Sequence, residues 1–322
     1  MTSRTGSGLI DIHAHFSLPT TPESRRTAWE AMRQQQFLAP EPFEWRLEET
    51  LAHMDQTGTA MQMLSTVPND LARLRASNDY GAQIVAAHPT RFGLLAALPT
   101  DDPQAALEEI QRVGAADGWA VTTVHNGHSL AESALDPLWQ DLDDQRAVVF
   151  VHPNAYAPAS AGMPAPLIEV AFDTGRTVVA MLYAGVFARF PNITFVIAHA
   201  GGAVPLLAGR LSLIGAQPWV PNPHGLSTDD ITTTLRRLWA DTAASASDQQ
   251  LAAAAATFGD DHLVYGSDWG VPCTDHASAL RNIHALRHTQ AIDPTSRAAV
   301  LSRARTLFPQ AARRAEGFWK IV

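Results

Sequence analysis

Two rhythms of apolar and polar positions alternate along the chain. Short runs that are continuously apolar, or apolar at every second position, predict strands at 8–15, 60–66, 92–98, 119–124, 147–152, 193–198, 236–241 and 262–267. Between them, stretches with apolar positions three and four apart predict helices at 47–57, 70–88, 103–114, 135–146, 167–190, 203–214, 246–258 and 275–289. One helix shows the boundary chemistry: an acid precedes Pro103, and Gly114 stands where the run stops. Strands and helices taking turns in this way predict an α/β fold, a parallel (β/α)8 TIM barrel in a single domain over 1–322, with a doubly wound open sheet as the competing arrangement.

Two segments exceed ordinary loop length. One is 16–46, which carries Arg25, Arg26, Trp29, Phe37, Phe43 and Trp45; the other is 153–166, rich in Pro and Ala. Both follow strands, so in a barrel both become lid-like insertions over the C-terminal mouth, where active sites form.

Composition narrows the function. The net charge is −9 and no Lys/Arg-rich run exists, which argues against nucleic acid and anionic membrane as partners. Lys320 is the only lysine, and in an Ala- and Arg-rich chain this reads as genomic composition bias. A single cysteine, Cys273, excludes an intrachain disulfide and fits a reducing cytoplasm. The opening "MTSRTGSG" lacks the apolar centre of a secretion signal, and no run of about 18 apolar residues is present to span a membrane.

The strand ends carry the chemistry. In "LIDIHAHF", a period of two places Asp11, His13 and His15 on one face and Ile10, Ile12, Ala14 and Phe16 on the other. The 13 histidines of this chain give roughly half an H-x-H by chance, so the motif alone reads first as a wet or packed strand end and only second as a metal site. Three further strand ends change that reading. His152 closes "VVFVH", His199 follows "TFVIA", and Asp268 closes "LVYGSD". In a barrel all of these side chains enter one mouth. Imidazoles with a carboxylate suit Zn²⁺, with Mn²⁺ or Fe²⁺ as alternatives, and a remaining histidine is free for proton transfer.

The segments "IDIHAHF", "FVHP", "GVFARFPNITFVIAHAGGAVPLLAGR" and "YGSDW" resemble the amidohydrolase superfamily, closest to its metal-dependent decarboxylase branch. The resemblance runs from about residue 9 to 270. It implies that His13, His15, His152 and Asp268 hold one divalent metal and that His199 is the catalytic histidine beside it. It also implies a role for Arg210, which stands where an arginine of the branch reaches substrate carboxylate across a dimer interface; a homodimer with a shared site follows, against a structural ion pair as the plainer reading. A second carboxylate-binding arginine of that branch is replaced here by Thr50, with Arg46 one helical turn earlier, so a dicarboxylate substrate is disfavoured. Asp11 stands where some relatives carry Glu and is expected to orient ligands from deeper in the barrel, not to bind metal. Asp241, in "WADTA", is given a similar supporting role.

His125 and His128 follow the fourth strand, where His125 could touch substrate or sit in a polar loop. Trp45 and the other aromatics of 16–46 would hold an aromatic ring and exclude water. The expected reaction is non-oxidative decarboxylation of a small, salicylate-like carboxylic acid, with Asp268 and His199 as the two groups able to supply the proton. Hydrolysis or hydration of an amide, lactone or enol acid through activated water is the second reading, and a non-catalytic scaffold the third.

Overall fold

A computed structural model describes residues 8–154 and 162–319. Half of the 153–166 insertion, residues 155–161, lies outside the described residues, as do most of the N-terminal octapeptide and Lys320. Eight strands form one parallel sheet: β1 (Leu9–His15), β2 (Thr59–Ser65), β3 (Phe92–Ala97), β4 (Gly118–Thr122), β5 (Val148–His152), β6 (Thr194–Ile197), β7 (Trp239–Asp241) and β8 (Leu263–Val264). Each strand neighbours the next in chain order, which decides for the barrel over the doubly wound sheet. The last seam runs beyond β8 through backbone bonds. Ile12 N–H donates to Tyr265 O at 3.1 Å, Asp268 N–H to His13 O at 2.9 Å, and His15 N–H to Trp269 O at 2.7 Å. These bonds set Asp268 beside His13 and His15.

The predicted helices recur with small shifts. Leu47–Thr57 ends on Gly58 at φ 74°, and Pro103–Val113 starts at Asp102, whose side chain accepts from the N–H groups of Gln104 and Ala105. The predicted 167–190 helix breaks in two, Glu169–Tyr183 and Val186–Arg189, because Gly185 turns the backbone left-handed at φ 71°. Helix Pro22–Gln34 lies inside the 16–46 insertion and escaped the periodicity reading because it is mostly polar, with only Trp29 and Met32 as large apolar residues and none fully buried. Thr228–Arg236 escaped too, although Ser227 and Asp230 form a capping box at its start.

Side chains sort into two packed layers. Leu64, Leu94, Val121, Val151, Ile197 and Tyr265 belong to the shell between strands and helices. Ile10, Ile12, Met63, Leu95, Phe150 and Val264 pack in a second cluster, joined by Leu307, Phe308 and Ala311. Strand β1 does not alternate cleanly between them. Its register against β2 advances from Asp11 to Ala14 while β2 advances only from Gln62 to Leu64, so one extra residue is inserted. Ile10 and Ile12 therefore sit in the inner cluster, whereas Ala14 and Phe16 sit in the outer one. This corrects the single-face reading of Asp11, His13 and His15: the bulge separates Asp11 from the two histidines.

The same seam explains one glycine. A Cβ on Gly270 would lie 2.1 Å from His15 O, and its φ is 97°. Gly270→Ala should therefore destabilise the fold by roughly 2–4 kcal/mol through combined strain and overpacking. Urea unfolding would measure it; an unchanged midpoint would contradict the seam described here.

Candidate metal centre

The ligand atoms of His13, His15, His152 and Asp268 lie within 4.8 Å of one another. They arrive from the ends of β1 and β5 and from the turn after β8. Each imidazole has its Nδ1 engaged from behind. His13 Nδ1 lies 2.8 Å from Asp241 Oδ2, His15 Nδ1 3.1 Å from Ser65 O, and His152 Nδ1 2.8 Å from Pro153 O. Acceptors at all three positions place the proton on Nδ1, so the Nε2 lone pairs are left to face one another. His13 Nε2 and His15 Nε2 are 3.0 Å apart, and His152 Nε2 is buried with no hydrogen-bond partner. Asp268 Oδ1 adds a fourth donor, 3.2 Å from His13 Nε2 and 3.3 Å from His15 Nε2. Converging lone pairs with a carboxylate repel unless a cation stands among them. The cluster thus fits a single divalent metal.

Electrostatics point the same way. Burial, followed by the charges of neighbouring histidines, pushes His152 well below the ordinary imidazole range. Burial also lowers His15, only partly opposed by its bond to Asp268. Both shifts favour the neutral, ligating form of the ring. At His13 burial is outweighed by Asp241 and Asp268, which lift the ring to about 10. Burial raises Asp268, but the bonds from His13, His15 and His199 hold it well below the usual carboxylate range. A proton on His13 is one way to balance this negative pocket, and a metal cation is the other.

His199 stands beside the cluster, its Nε2 3.8 Å from Asp268 Oδ2 and its Nδ1 buried without a partner. Its backbone is left-handed, as is that of Asp268, with φ of 56° and 62°. Non-glycine residues hold such angles only where their surroundings enforce them. For His199 the enforcing group is Asp241, whose Oδ1 accepts the His199 N–H at 3.1 Å and the Ala243 N–H at 2.8 Å. After it, Gly202 at φ 57° is needed because a Cβ there would lie 2.6 Å from Ala171 O.

Asp11 touches no ligand ring. It accepts from Ser267 N and Oγ at 2.9 and 2.5 Å, from Gln62 Nε2 at 3.0 Å and from His13 N at 3.2 Å. Burial dominates these bonds and pushes its carboxyl up to about 6. Asp11 thus ties β1 to the turn that carries Asp268.

A cavity of about 350 Å³ opens above His15, His152, His199 and Asp268. Met32 and Phe37 from the 16–46 insertion and Leu167 and Val170 from beyond 153–166 line it, with Gln35, Ser245 and Gln250 as its neutral polar groups. No Arg or Lys is among its described lining residues. Trp45 is instead buried against Phe16, with ring centroids 6.3 Å apart. Arg46 is exposed and pairs with Glu44 and Glu49. His125 is buried between Pro68 O, 3.2 Å from Nε2, and Asp101 Oδ1, 3.1 Å from Nδ1. Arg210 is exposed on helix Val204–Ile214. None of these four lines the cavity. Cys273 is exposed at the rim, not a small buried residue. Thr274, whose Oγ1 donates to Asp268 Oδ2 at 3.1 Å, carried no signal in the sequence beyond its nearness to Asp268.

The sequence profile described as Amidohydrolase matches residues 10–310. The chain is 28% identical to 6-methylsalicylic acid decarboxylase of Penicillium expansum, with 94% of this chain and 96% of that protein aligned. It is 30% identical to 6-methylsalicylic acid decarboxylase of Aspergillus aculeatus, over 81% of this chain and 83% of that one. Among solved structures, the fold is similar to 5-carboxyvanillate decarboxylase of Novosphingobium aromaticivorans in complex with manganese, with a TM-score of 0.76, 19% identity, and 95% and 97% of the two chains covered.

Asp241 touches two of the groups at once, through His13 Nδ1 and the His199 backbone. Asp241→Asn should weaken divalent-metal affinity by roughly 10–100-fold. Chelator competition would measure it, and wild-type affinity in the variant would remove Asp241 from the account.

Proposed function

The chain belongs to the Amidohydrolase family, and on that footing we propose that it is a metal-dependent, non-oxidative decarboxylase of a small, salicylate-like aromatic acid. The observation that carries this reading is the three-histidine, one-carboxylate cluster under an apolar cavity whose described lining holds no Arg or Lys. The two salicylic acid decarboxylases, which align over most of this chain, support it.

His13, His15, His152 and Asp268 would hold the ion. Zn²⁺ is our assignment because three imidazoles and a carboxylate are its usual donors, with Mn²⁺, the ion of the carboxyvanillate enzyme, as the alternative. When bound, such an ion supplies the positive charge that draws in a carboxylate and an ortho hydroxyl and stabilises charge developing on them. Everything else falls to the chain. Met32 and Phe37, together with Ala165, Pro166, Leu167 and Val170, take the ring and exclude water, which supports a lid role for 16–46 and, through Ala165 and Pro166, for the described part of 153–166. His199 and Asp268, separated by 3.8 Å between Nε2 and Oδ2, form the pair across which the proton reaches the ring carbon. Asp241 holds His199 in its left-handed turn and His13 in the ligating tautomer.

Two coarser readings complete the proposal. Leu206 and Leu213 flank Arg210 on helix Val204–Ile214 and are 80% and 77% exposed, which supports a homodimer that covers this helix. The lone cysteine supports a cytoplasmic site of action. Among the described residues no helix is long and apolar enough to cross a membrane.

Incubation with salicylate-type acids should release CO₂, and chelation should abolish that release. His199→Ala should keep its metal yet lose about 100-fold or more in kcat, whereas His13→Ala should lose the metal itself. Elemental analysis beside CO₂ trapping separates these outcomes. A metal-loaded wild type that hydrolyses esters or amides and frees no CO₂ from any acid would overturn the proposal.

A further inference from the structure

The loop that leaves β7 is held from two sides. Asp241 Oδ1 accepts the Ala243 N–H at 2.8 Å, so the carboxylate that orients His13 and His199 also starts this loop. Asn282, on helix His276–His288, accepts the N–H groups of Ser245 and Ala246 at 3.3 and 3.1 Å, and its amide donates to Thr242 O at 3.1 Å and to Gly266 O at 3.3 Å. Ser247 then caps helix Asp248–Phe258 by accepting the Gln250 N–H at 3.3 Å. The backbone is thus fixed, and the side chains of Ser245 and Gln250 remain. Both residues line the cavity above the ligand cluster. Ser245 is only 4% exposed, yet its hydroxyl makes no hydrogen bond among the described residues, and neither does the Gln250 carboxamide.

We infer that Ser245 and Gln250 form a subsite for a hydroxyl group on the substrate ring, in addition to the ortho hydroxyl that the metal would take. The inference rests on the decarboxylase reading and deepens it by naming the ring substituent. A substrate that fills this cavity must offer these two groups a partner or leave buried polar atoms unpaired, which is costly. A methyl substituent offers none. A second carboxylate brings a charge for which the described lining holds no Arg or Lys. A hydroxyl both donates and accepts, so it meets a serine hydroxyl and a carboxamide without charge. Gln35, the other neutral amide of the cavity, is exposed and makes no such demand. Met32, Phe37, Leu167 and Val170 have no hydrogen-bonding partner to give. The ring is therefore oriented with its hydroxylated edge toward the β7 loop.

The test compares matched pairs of 2-hydroxybenzoates that carry either a hydroxyl or a methyl group at the same further ring position, each free position in turn. Metal-loaded wild type should favour the hydroxyl member of one pair by about tenfold in kcat/KM for CO₂ release. Ser245→Ala should cut that preference to about threefold, and Ser245→Ala combined with Gln250→Leu should abolish it, with the metal content unchanged. A merely structural role would lower kcat/KM for both members alike and leave their ratio where it was. A wild type with no hydroxyl preference at any position, or a ratio that survives in metal-loaded Ser245→Ala, would overturn the inference. If Ser245→Ala misfolds or loses metal, Gln250→Leu decides by the same criterion. Calorimetry of the same acids on metal-loaded His199→Ala keeps the two readings apart. A wild type that releases no CO₂ from any pair sinks the decarboxylase reading, whereas equal affinities within every pair sink the subsite.

Discussion

The buried carboxylate of Asp241 governs the geometry of this mouth. Its Oδ2 lies 2.8 Å from His13 Nδ1, and its Oδ1 accepts the backbone N–H of His199. One oxygen thereby selects the tautomer that turns His13 Nε2 toward His15, His152 and Asp268. The other holds the left-handed turn that brings His199 alongside. Both Asp241 and His13 are fully buried, where an unpaired charge costs several kcal/mol. That cost is met only if the pair is kept intact. The ligand set and the proton-carrying histidine are therefore not independent features, because one side chain at the end of β7 positions a member of each.

Three of the seven non-glycine residues with positive φ among the described residues lie in the two turns that carry His199 and Asp268. His199, Ala200 and Asp268 all adopt positive φ without being glycine. The barrel supplies the enforcement: backbone bonds from Asp268 N to His13 O and from His15 N to Trp269 O close the seam around Asp268. Asp11 adds to that closure by gathering Ser267, Gln62 and the His13 N–H on one carboxylate. The ring of strands thus holds the ligands on its rim, and the apolar insertion residues Met32 and Phe37 cover them from above.

The strands and their order were legible because each is a short apolar run bounded by turn chemistry, and the four strand-end groups stood out as polar residues at the ends of such runs. Other parts were not legible, for physical reasons. The bulge in β1 changes which face each residue meets without changing the sequence rhythm, so Asp11 read as a neighbour of His13 and His15 when it is turned away. Helix Pro22–Gln34 is mostly polar and buries no residue fully; its inward side is only the half-buried Arg25, Trp29 and Met32, too few apolar positions to stand out. Trp45, Arg46 and His125 have the residue types of a substrate site, but packing against Phe16, pairing with Glu44 and Glu49, and bonding to Pro68 O occupy them. The lining of the cavity comes from Met32, Gln35, Phe37 and Gln250, residues whose types carry no chemical signature and whose convergence exists only in three dimensions.

The central claim is that the Nε2 lone pairs of three imidazoles and one oxygen of Asp268 converge on a single cation. Elemental analysis of the purified protein after exchange into each divalent metal tests it most directly. The account predicts one tightly held equivalent per chain, retained through gel filtration and lost in the Asp268→Ala variant. A wild-type chain that retains no divalent metal under any loading condition, or one that retains it equally without Asp268, would contradict the account.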